Sequence, residues 1–181
     1  MLIGDKIMLR PLKIQDLNMV NQWRNDLELT RQTMGIRFPK TLEMDEEWFN
    51  QVLRDKSNRN VYWGIEIKES HEFIGIASLR NIDYISGVGD FGWMIGSSKF
   101  RGLGYGKEAE NLINEYAFLV LNLRKLVRYI LDYNTISLKI LSNEGMSKEE
   151  GRLKEHYYFD GKYHDVVIMA LFRDDYYKSL E

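Results

Sequence analysis

The sequence RGLGYG at residues 101–106 is more informative about the fold than any other segment, because its three glycines lie between a predicted strand and a predicted helix. The strand covers residues 90–95, and the amphipathic helix begins near Tyr105. Glycines leave backbone N–H groups unobstructed, and the start of a helix adds unpaired donors and a partial positive charge. This segment therefore predicts a binding site for an anion such as a pyrophosphate.

Three phosphate-binding patterns compete for this loop. A Rossmann fingerprint, G-x-G-x-x-G, needs a glycine at the position that Lys107 occupies. A P-loop needs a glycine where Arg101 stands, and a Ser or Thr where Glu108 stands. The third pattern, Arg/Gln-x-x-Gly-x-Gly/Ala, fits at Arg101, Gly104 and Gly106. The first two patterns fail at specific residues, and the third is retained.

Alternating apolar residues predict the strands of the chain. These are a first strand at 6–12, a meander at 61–67, 73–79 and 90–95, an interior strand at 126–131, and a hairpin of 152–159 and 162–172 that turns at Asp160-Gly161. The pattern predicts an α+β fold with one mixed, mostly antiparallel sheet, in a single domain that spans residues 1–181.

Apolar residues at helical spacing predict helices on both faces of this sheet. One begins at Ile14, a second follows Thr41 and a third begins near Tyr105. A fourth covers about 135–144 and stops at Gly145. In the second helix, the predicted buried side chains are Met44, Trp48, Val52 and Leu53. Residues 25–41 are predicted to be irregular.

The composition excludes several functional classes. The 181 residues are 44% apolar and carry a net charge of −2, without the basic excess of a nucleic-acid-binding protein. No apolar run approaches the roughly 20 residues that span a membrane. There is no cysteine and no i,i+4 histidine pair, so we expect no metal site. The short, charged start does not suggest a signal peptide, and we expect a cytoplasmic protein.

The neighbours of the glycine loop make its pattern more specific. They are DFGWMIG at 90–96, NTIS at 134–137, GM at 145–146, EGR at 150–152 and DGKYHD at 160–165. With them, the chain resembles the GNAT superfamily of acyl-CoA-dependent N-acetyltransferases from Met8 to about Tyr177. It looks closest to the branch of the ribosomal-protein alanine acetyltransferases, with spermidine and amino-sugar acetyltransferases nearby. The resemblance implies acetyl-CoA as the acyl donor, a small-molecule or peptide amine as the acceptor, and a monomer or homodimer.

The resemblance also implies where acetyl-CoA binds. The strand before the glycine loop would separate from the next parallel strand, and the pantetheine arm would lie in the gap. Backbone groups of Met94, Ile95 and Gly96 would pair with this arm, and one amide would polarise the thioester carbonyl. The pyrophosphate would bind the loop formed by Arg101, Gly102, Leu103, Gly104, Tyr105, Gly106 and Lys107. Asn134 and Ser137 match cofactor-contacting positions, and they are equally suited to cap the following helix.

For catalysis, the resemblance points to Asp90 as the base that removes a proton from the amine. The alternative is that Asp90 is only an exposed carboxylate after a loop. Many family members protonate the leaving thiolate with a tyrosine at the position that Leu141 occupies here. Tyr129, Tyr133, Ser137 or a water molecule remain as proton donors, and the sequence does not choose among them.

Residues near 25–50 and the terminal hairpin build the acceptor site in this superfamily. Acidic residues in the first region would either attract a cationic amine or be solvated; they are Asp26, Glu28, Asp45, Glu46 and Glu47. His164 and Asp165 in the hairpin would either face the pocket or serve the structure. Because Leu141 lacks a hydroxyl, two other functions stay open: a catalytically silent acyl-CoA-binding module, and an interaction module of the same fold.

Overall fold

An eight-stranded sheet forms the centre of the protein in the computed structural model, which describes residues 1–34, 38–142 and 147–180. In chain order the strands are β1 (Leu2–Ile3), β2 (Ile7–Pro11), β3 (Val61–Ile67), β4 (Phe73–Asp83), β5 (Val88–Ile95), β6 (Lys125–Leu131), β7 (Ser147–Phe159) and β8 (Lys162–Phe172). Their order across the sheet is β1-β2-β3-β4-β5-β6-β8-β7. Neighbouring strands are antiparallel except β5 and β6, which are parallel.

Helices cover both faces of this sheet. They are α1 (Leu17–Asn25), α2 (Leu27–Arg31), α3 (Leu42–Arg54), α4 (Tyr105–Glu115), α5 (Thr135–Ser142) and α6 (Arg173–Lys178). On one face, α4 packs its apolar side chains into the main core, where Ala109 and Ile113 are fully buried. On the other face, Val20 of α1 and Phe49 of α3 form a second buried cluster. The predicted α+β class, with a mixed, mostly antiparallel sheet, is confirmed.

The terminal hairpin shows how local chemistry sets the strand register. Asp160 and Gly161 both have positive φ, 52° and 79°, which a type I′ turn requires. The strand β7 starts at Ser147, five residues before the predicted start at Arg152. Irregularities at Glu149/Gly151 and at Leu153/Tyr157 interrupt its pairing with β8. Such bulges break the period-two alternation on which the sequence prediction depended.

Two other predictions need correction. The region predicted to be irregular contains α2, because the Asp26 side chain accepts hydrogen bonds from the amides of Glu28 and Leu29 and caps it. In α3, Trp48 and Val52 pack against the second buried cluster as predicted, whereas Met44 and Leu53 are about half exposed and were predicted wrongly. The side chain of Asp45 points inward instead, because it forms a buried ion pair with Arg24. Gly145, the predicted stop of α5, lies outside the described residues.

Candidate active site

The site is built around a gap between β5 and β6. The two strands pair at three positions, and the last of these sets Asp90 opposite Val127. Beyond that point β5 continues to Ile95 and β6 to Leu131, but their pairing ends. The strands therefore diverge from a vertex at Asp90, and their facing edges are available to a ligand. This is the separation that the resemblance implied.

A cavity of about 370 Å³ occupies the gap, a volume typical of small-molecule sites. One wall is formed by residues 90–94 of β5, and the opposite wall by residues 128–131 of β6. Helices contribute Arg24 from α1, Trp48 from α3 and Ser137 from α5. The cavity thus joins the two edges of the gap to the helical layer that contains α1 and α3.

Asp90 lies in the cavity wall at the vertex of the gap. Its carboxylate accepts a hydrogen bond of 3.0 Å from Asn81 Nδ2, and Arg80 Nη2 lies 3.7 Å away. The side chain is 17% exposed, so it is neither sealed in the core nor freely solvated. A carboxylate held in this way can accept a proton from an amine bound in the cavity, directly or through a water molecule.

The glycine loop presents an unobstructed backbone at the start of α4. Gly102 and Gly104 have φ values of 76° and 89°, in the left-handed region that favours glycine. A Cβ atom added at either residue would have no atom within 4 Å among the described residues. Gly104 directly precedes α4, and the first N–H groups of a helix have no acceptor within the helix. An open backbone at a helix start suits a pyrophosphate, and the binding of that group to this glycine cradle stays a prediction.

Arg101 does not extend toward this cradle. Its Nε donates to the Ile95 carbonyl at 3.2 Å and its Nη2 to the Gly96 carbonyl at 2.7 Å, so the side chain ties the loop to the end of β5. The Gly96 amide donates to the Ile74 carbonyl inside the sheet. Because hydrogen bonding alternates along an antiparallel pair, the backbone groups of Ile95 face the gap. Ile95 is thus better placed than Gly96 to donate an amide to the thioester.

The other predicted loop residues have distinct surroundings. Tyr105 packs edge-on against Phe100, Leu103 is half exposed, and Lys107 lies in the first turn of α4. Gly106 lies against the ring of Trp93, so its lack of a side chain serves packing. Met94 lines the cavity itself. Contact of these residues with the cofactor stays a prediction.

Asn134 caps α5, which is one of the two roles predicted for it. Its Oδ1 accepts a hydrogen bond of 3.1 Å from the Ser137 amide, and its Nδ2 donates to the Gln32 carbonyl at 2.7 Å. Both Asn134 and Ser137 also line the cavity. The capping role is therefore observed, and it leaves these two residues beside the gap where the cofactor role is predicted.

The structure separates the candidate proton donors. Tyr133 donates its hydroxyl to the Arg31 carbonyl at 2.7 Å, and burial raises the pKa of this phenol. Tyr129 and Ser137, by contrast, line the cavity. Leu141 is only 3% exposed and belongs to the main hydrophobic core. Tyr129 and Ser137 are thus the hydroxyl groups of this set that border the reacting region.

Three arginines that the sequence analysis did not single out also line the cavity: Arg24, Arg80 and Arg128. Burial lowers the pKa of Arg24 and of Arg128, and the opposing carboxylates Asp45 and Glu110 offset part of this effect. The Arg24 guanidinium lies 4.6 Å from the Trp48 ring centre, and that of Arg128 lies 5.0 Å from the Trp93 ring centre. No sequence motif marks these residues, because three distant segments bring them together.

The acidic residues predicted to attract an amine lie elsewhere. Asp26 caps α2, and Asp45 is fully buried beside Arg24, with 2.6 Å between Oδ1 and Nη1. Glu46 and Glu47 border a separate surface depression near the start of α3. His164 contacts Asp132 at 3.3 Å, and the Asp165 carboxylate accepts from the Glu155 amide. None of these side chains belongs to the cavity wall.

Among the described residues, no three His, Cys, Asp or Glu side chains are grouped as a metal site would require. Within the same ranges, no helix has the length and apolar character needed to cross a membrane.

The divergent strands, the glycine cradle and the carboxylate at the vertex define the class of acyl-CoA-dependent N-acetyltransferases. Residues 6–147 match the family model for the acetyltransferase (GNAT) domain, and the chain belongs to this family. Its acyl donor is acetyl-CoA, and its activity is the transfer of the acetyl group to an amine.

Two relatives place this chain within the family. Spermidine N(1)-acetyltransferase of Escherichia coli K12 is 26% identical over 94% of this chain and 88% of its own length. The crystal structure of spermidine N-acetyltransferase from Vibrio cholerae with CoA and spermine has a TM-score of 0.87. It is 24% identical and covers 96% of this chain and 99% of its own. These relatives are of the spermidine type, which the sequence analysis placed nearby, rather than of the ribosomal-protein branch.

A further solved structure of the Vibrio cholerae enzyme is described as dodecameric. It has a TM-score of 0.81 and 25% identity over 98% of this chain and the full length of the other. The assembly belongs to that protein, and the monomer or homodimer expected for this chain stays a prediction.

Proposed function

We propose that the protein acetylates a primary amine by direct attack of that amine on acetyl-CoA while both are bound, with Asp90 as the base. The observation that carries this proposal is the position of Asp90 at the vertex of the gap. The cavity runs from this carboxylate along the following residues of β5, beside which the pantetheine arm is expected to lie. Amine and thioester would therefore meet within reach of the same carboxylate.

The proposed reaction moves the acetyl group from the sulfur of CoA to the nitrogen of the amine. The amine nitrogen forms a bond to the thioester carbon, the carbon–sulfur bond breaks, and the amine proton passes to Asp90. An alkyl amine is mostly protonated at neutral pH, with a pKa near 10, so a base is needed before attack. The Ile95 amide would stabilise the charge that develops on the carbonyl oxygen. The thiolate would take its proton from Tyr129, Ser137 or water.

The candidate acceptors are a polyamine, an amino sugar and a protein N-terminus. The relatives named as spermidine acetyltransferases favour a polyamine, whereas the three arginines in the cavity wall favour an acceptor that also carries an acidic group. We assign the whole reaction to one domain that spans residues 1–181, and we expect it to take place in the cytoplasm.

Purified protein with acetyl-CoA and a mixed set of primary amines tests the proposal through release of free CoA thiol. Asp90→Asn should lower turnover at pH 7 by about 10²- to 10⁴-fold while CoA affinity is kept. Raising the pH should restore part of the loss, because more amine is then already neutral. Asp174→Asn, at an exposed carboxylate in the first turn of α6, is the matched control. Unchanged turnover of Asp90→Asn from pH 6 to pH 9 would place the base elsewhere.

A further inference from the structure

The charged groups in the cavity wall do not suit a polycation. The wall contains three guanidinium groups, from Arg24, Arg80 and Arg128, and one carboxylate, from Asp90, among the residues that the structure describes. An acceptor with several ammonium groups would need carboxylates along its length, because each charge removed from water must be paired. This wall offers one such carboxylate, and its other charged groups are positive and would repel an ammonium group.

The carboxylates that accompany two of these arginines lie outside the wall. Asp45, 2.6 Å from Arg24, is fully buried, and Glu110, 3.8 Å from Arg128, is 3% exposed. Neither lines the cavity. A ligand in the cavity therefore meets the guanidinium groups and not their counter-charges.

Each of the three arginines carries a buried nitrogen that makes no hydrogen bond to the described residues: Arg24 Nη1, Arg80 Nε and Arg128 Nη1. Arg24 Nη1 lies 2.6 Å from Asp45 Oδ1, so Arg80 Nε and Arg128 Nη1 are the two that also lack a close ion-pair partner. A buried donor without an acceptor costs about 1–3 kcal/mol, so such a group favours a ligand that supplies one. The Trp48 ring, which could otherwise bind an alkylammonium, already has the Arg24 guanidinium 4.6 Å from its centre. Both observations point to an anionic ligand group.

Acetyl-CoA does not supply this anion. Its pantetheine arm is uncharged, and its phosphates are expected at the glycine cradle of residues 102–104, which lies outside the cavity wall. The anion must then belong to the acceptor or to the acyl group. Arg24 lies in α1, directly before the residues that build the acceptor site in this superfamily, and Arg80 lies beside Asp90.

We propose that the acceptor carries a carboxylate or phosphate within a few bonds of its amine, and that Arg80 and Arg24 bind this acidic group. This inference rests on the proposed function, because it places the amine at Asp90. The separation of 3.7 Å between Arg80 Nη2 and Asp90 Oδ2 sets the two ends of the acceptor close together. Short amino acids and amino-alkyl phosphates meet this requirement, whereas spermidine does not.

Matched acceptor pairs test the proposal. We would compare kcat/KM for 2-aminoethyl phosphate with ethanolamine, for β-alanine with its amide, and for spermidine alone. At least one acidic member should exceed its neutral partner by about 10-fold or more, the value of one or two hydrogen bonds to a charged group. The two pairs distinguish phosphate from carboxylate.

Arg80→Gln should remove this preference by slowing the acidic member more than its neutral partner, whose turnover also changes to the extent that Arg80 holds Asp90 in place. Arg80→Lys, which keeps the charge, should retain part of the preference. Retention in this variant would show that the loss in Arg80→Gln is due to the missing charge and not to misfolding. Arg54→Gln at the exposed end of α3 is the control for loss of one positive charge.

Three outcomes would overturn the inference while the proposed function stands. The first is a higher kcat/KM for spermidine than for both acidic acceptors. The second is an acid preference that survives in both Arg80→Gln and Arg24→Gln. The third is faster transfer from succinyl-CoA than from acetyl-CoA, lost in Arg128→Met, which would assign the anion to the acyl group. By contrast, no transfer to any amine would contradict the proposed function itself.

Discussion

The ring of Trp93 occupies the space that a side chain at residue 106 would need. A Cβ atom added to Gly106 would come within 2.5 Å of Trp93 Cζ3. Trp93 lines the cavity from β5, and its Nε1 donates to Glu110 of α4 at 3.4 Å. The last glycine of the loop therefore lets α4 approach β5 closely, and it fixes one wall of the site.

Gly106→Ala should therefore lower stability, because overpacking of this kind costs about 1–3 kcal/mol. Thermal unfolding should show a decrease in Tm of several degrees, together with a higher KM for acetyl-CoA as Trp93 moves. The control is Gly151→Ala in β7, where a Cβ would make an ordinary contact of 3.8 Å with Ile168. Equal Tm values for Gly106→Ala and the wild type would show that the ring relaxes without cost.

Gly104→Val should weaken CoA binding, because a side chain in the cradle blocks the approach of the pyrophosphate. It also places a non-glycine residue at a φ of 89°, which costs about 1–2 kcal/mol. Gly161→Val is the matched control, since Gly161 has a φ of 79° and equally open surroundings but lies in the hairpin turn. Both variants should lose similar stability, and calorimetry should show weaker CoA binding only for Gly104→Val. Equal dissociation constants would contradict the pyrophosphate assignment.

Leu141→Tyr should destabilise the protein without raising turnover. The residue corresponds to a tyrosine proton donor in many relatives, but here it is packed in the main core. A larger polar side chain there should cost about 1–3 kcal/mol, whereas Leu141→Met, which conserves volume, should cost less than about 1.5 kcal/mol. Urea unfolding and CoA release measure the two effects. A rise in turnover with unchanged stability would show that the hydroxyl reaches the sulfur.

Glu66→Gln should reduce stability at pH 7 by about 1–3 kcal/mol, because Glu66 accepts hydrogen bonds from the buried Arg10 and from His71. Burial alone raises the pKa of Glu66, but these hydrogen bonds lower it below its ordinary value of 4.5. A lowered pKa in the folded state means that the stabilisation is present above that ordinary value and is lost as the pH falls through the folded pKa.

The stability difference between the wild type and Glu66→Gln should therefore shrink below about pH 4.5. Urea unfolding at neutral and acidic pH measures it. Glu69→Gln, at an exposed glutamate in the following turn, is the control. A difference that grows on acidification would show that the carboxylate is not stabilised by its partners.

The sequence predicted what depends on short-range pattern. Alternation located the meander, and the Asp160-Gly161 turn located the hairpin, because both signals lie within a few residues. The helix α2 was missed because five residues are too few for a periodic pattern, and only the Asp26 cap marks its start. The glycine loop could be proposed as a pyrophosphate site because its residues are contiguous.

The wall of the cavity could not be predicted in the same way. Arg24, Arg80 and Arg128 lie about fifty residues apart, and an isolated arginine in a sequence is normally a surface residue. What makes them functional candidates is the divergence of β5 and β6, which brings three segments together around one space. The strand pairing that creates this space is a long-range property. The acidic residues near α3 could not be assigned for the same reason, because their spacing in the sequence does not show which side chains face the cavity.

The vertex at Asp90 and Val127 also has a mechanical meaning. Through three paired positions it joins one leaf of the sheet, formed by β1 to β5, to a second leaf formed by β6, β8 and β7. In any wedge, a small change of angle widens the opening little at the apex and most at the far end, here near Ile95. Residues that pack at the apex, such as Gly89 between Leu79 and Leu123, therefore act on the width of the opening from a distance. The width of the gap is set by the angle between two leaves as much as by the side chains that line it.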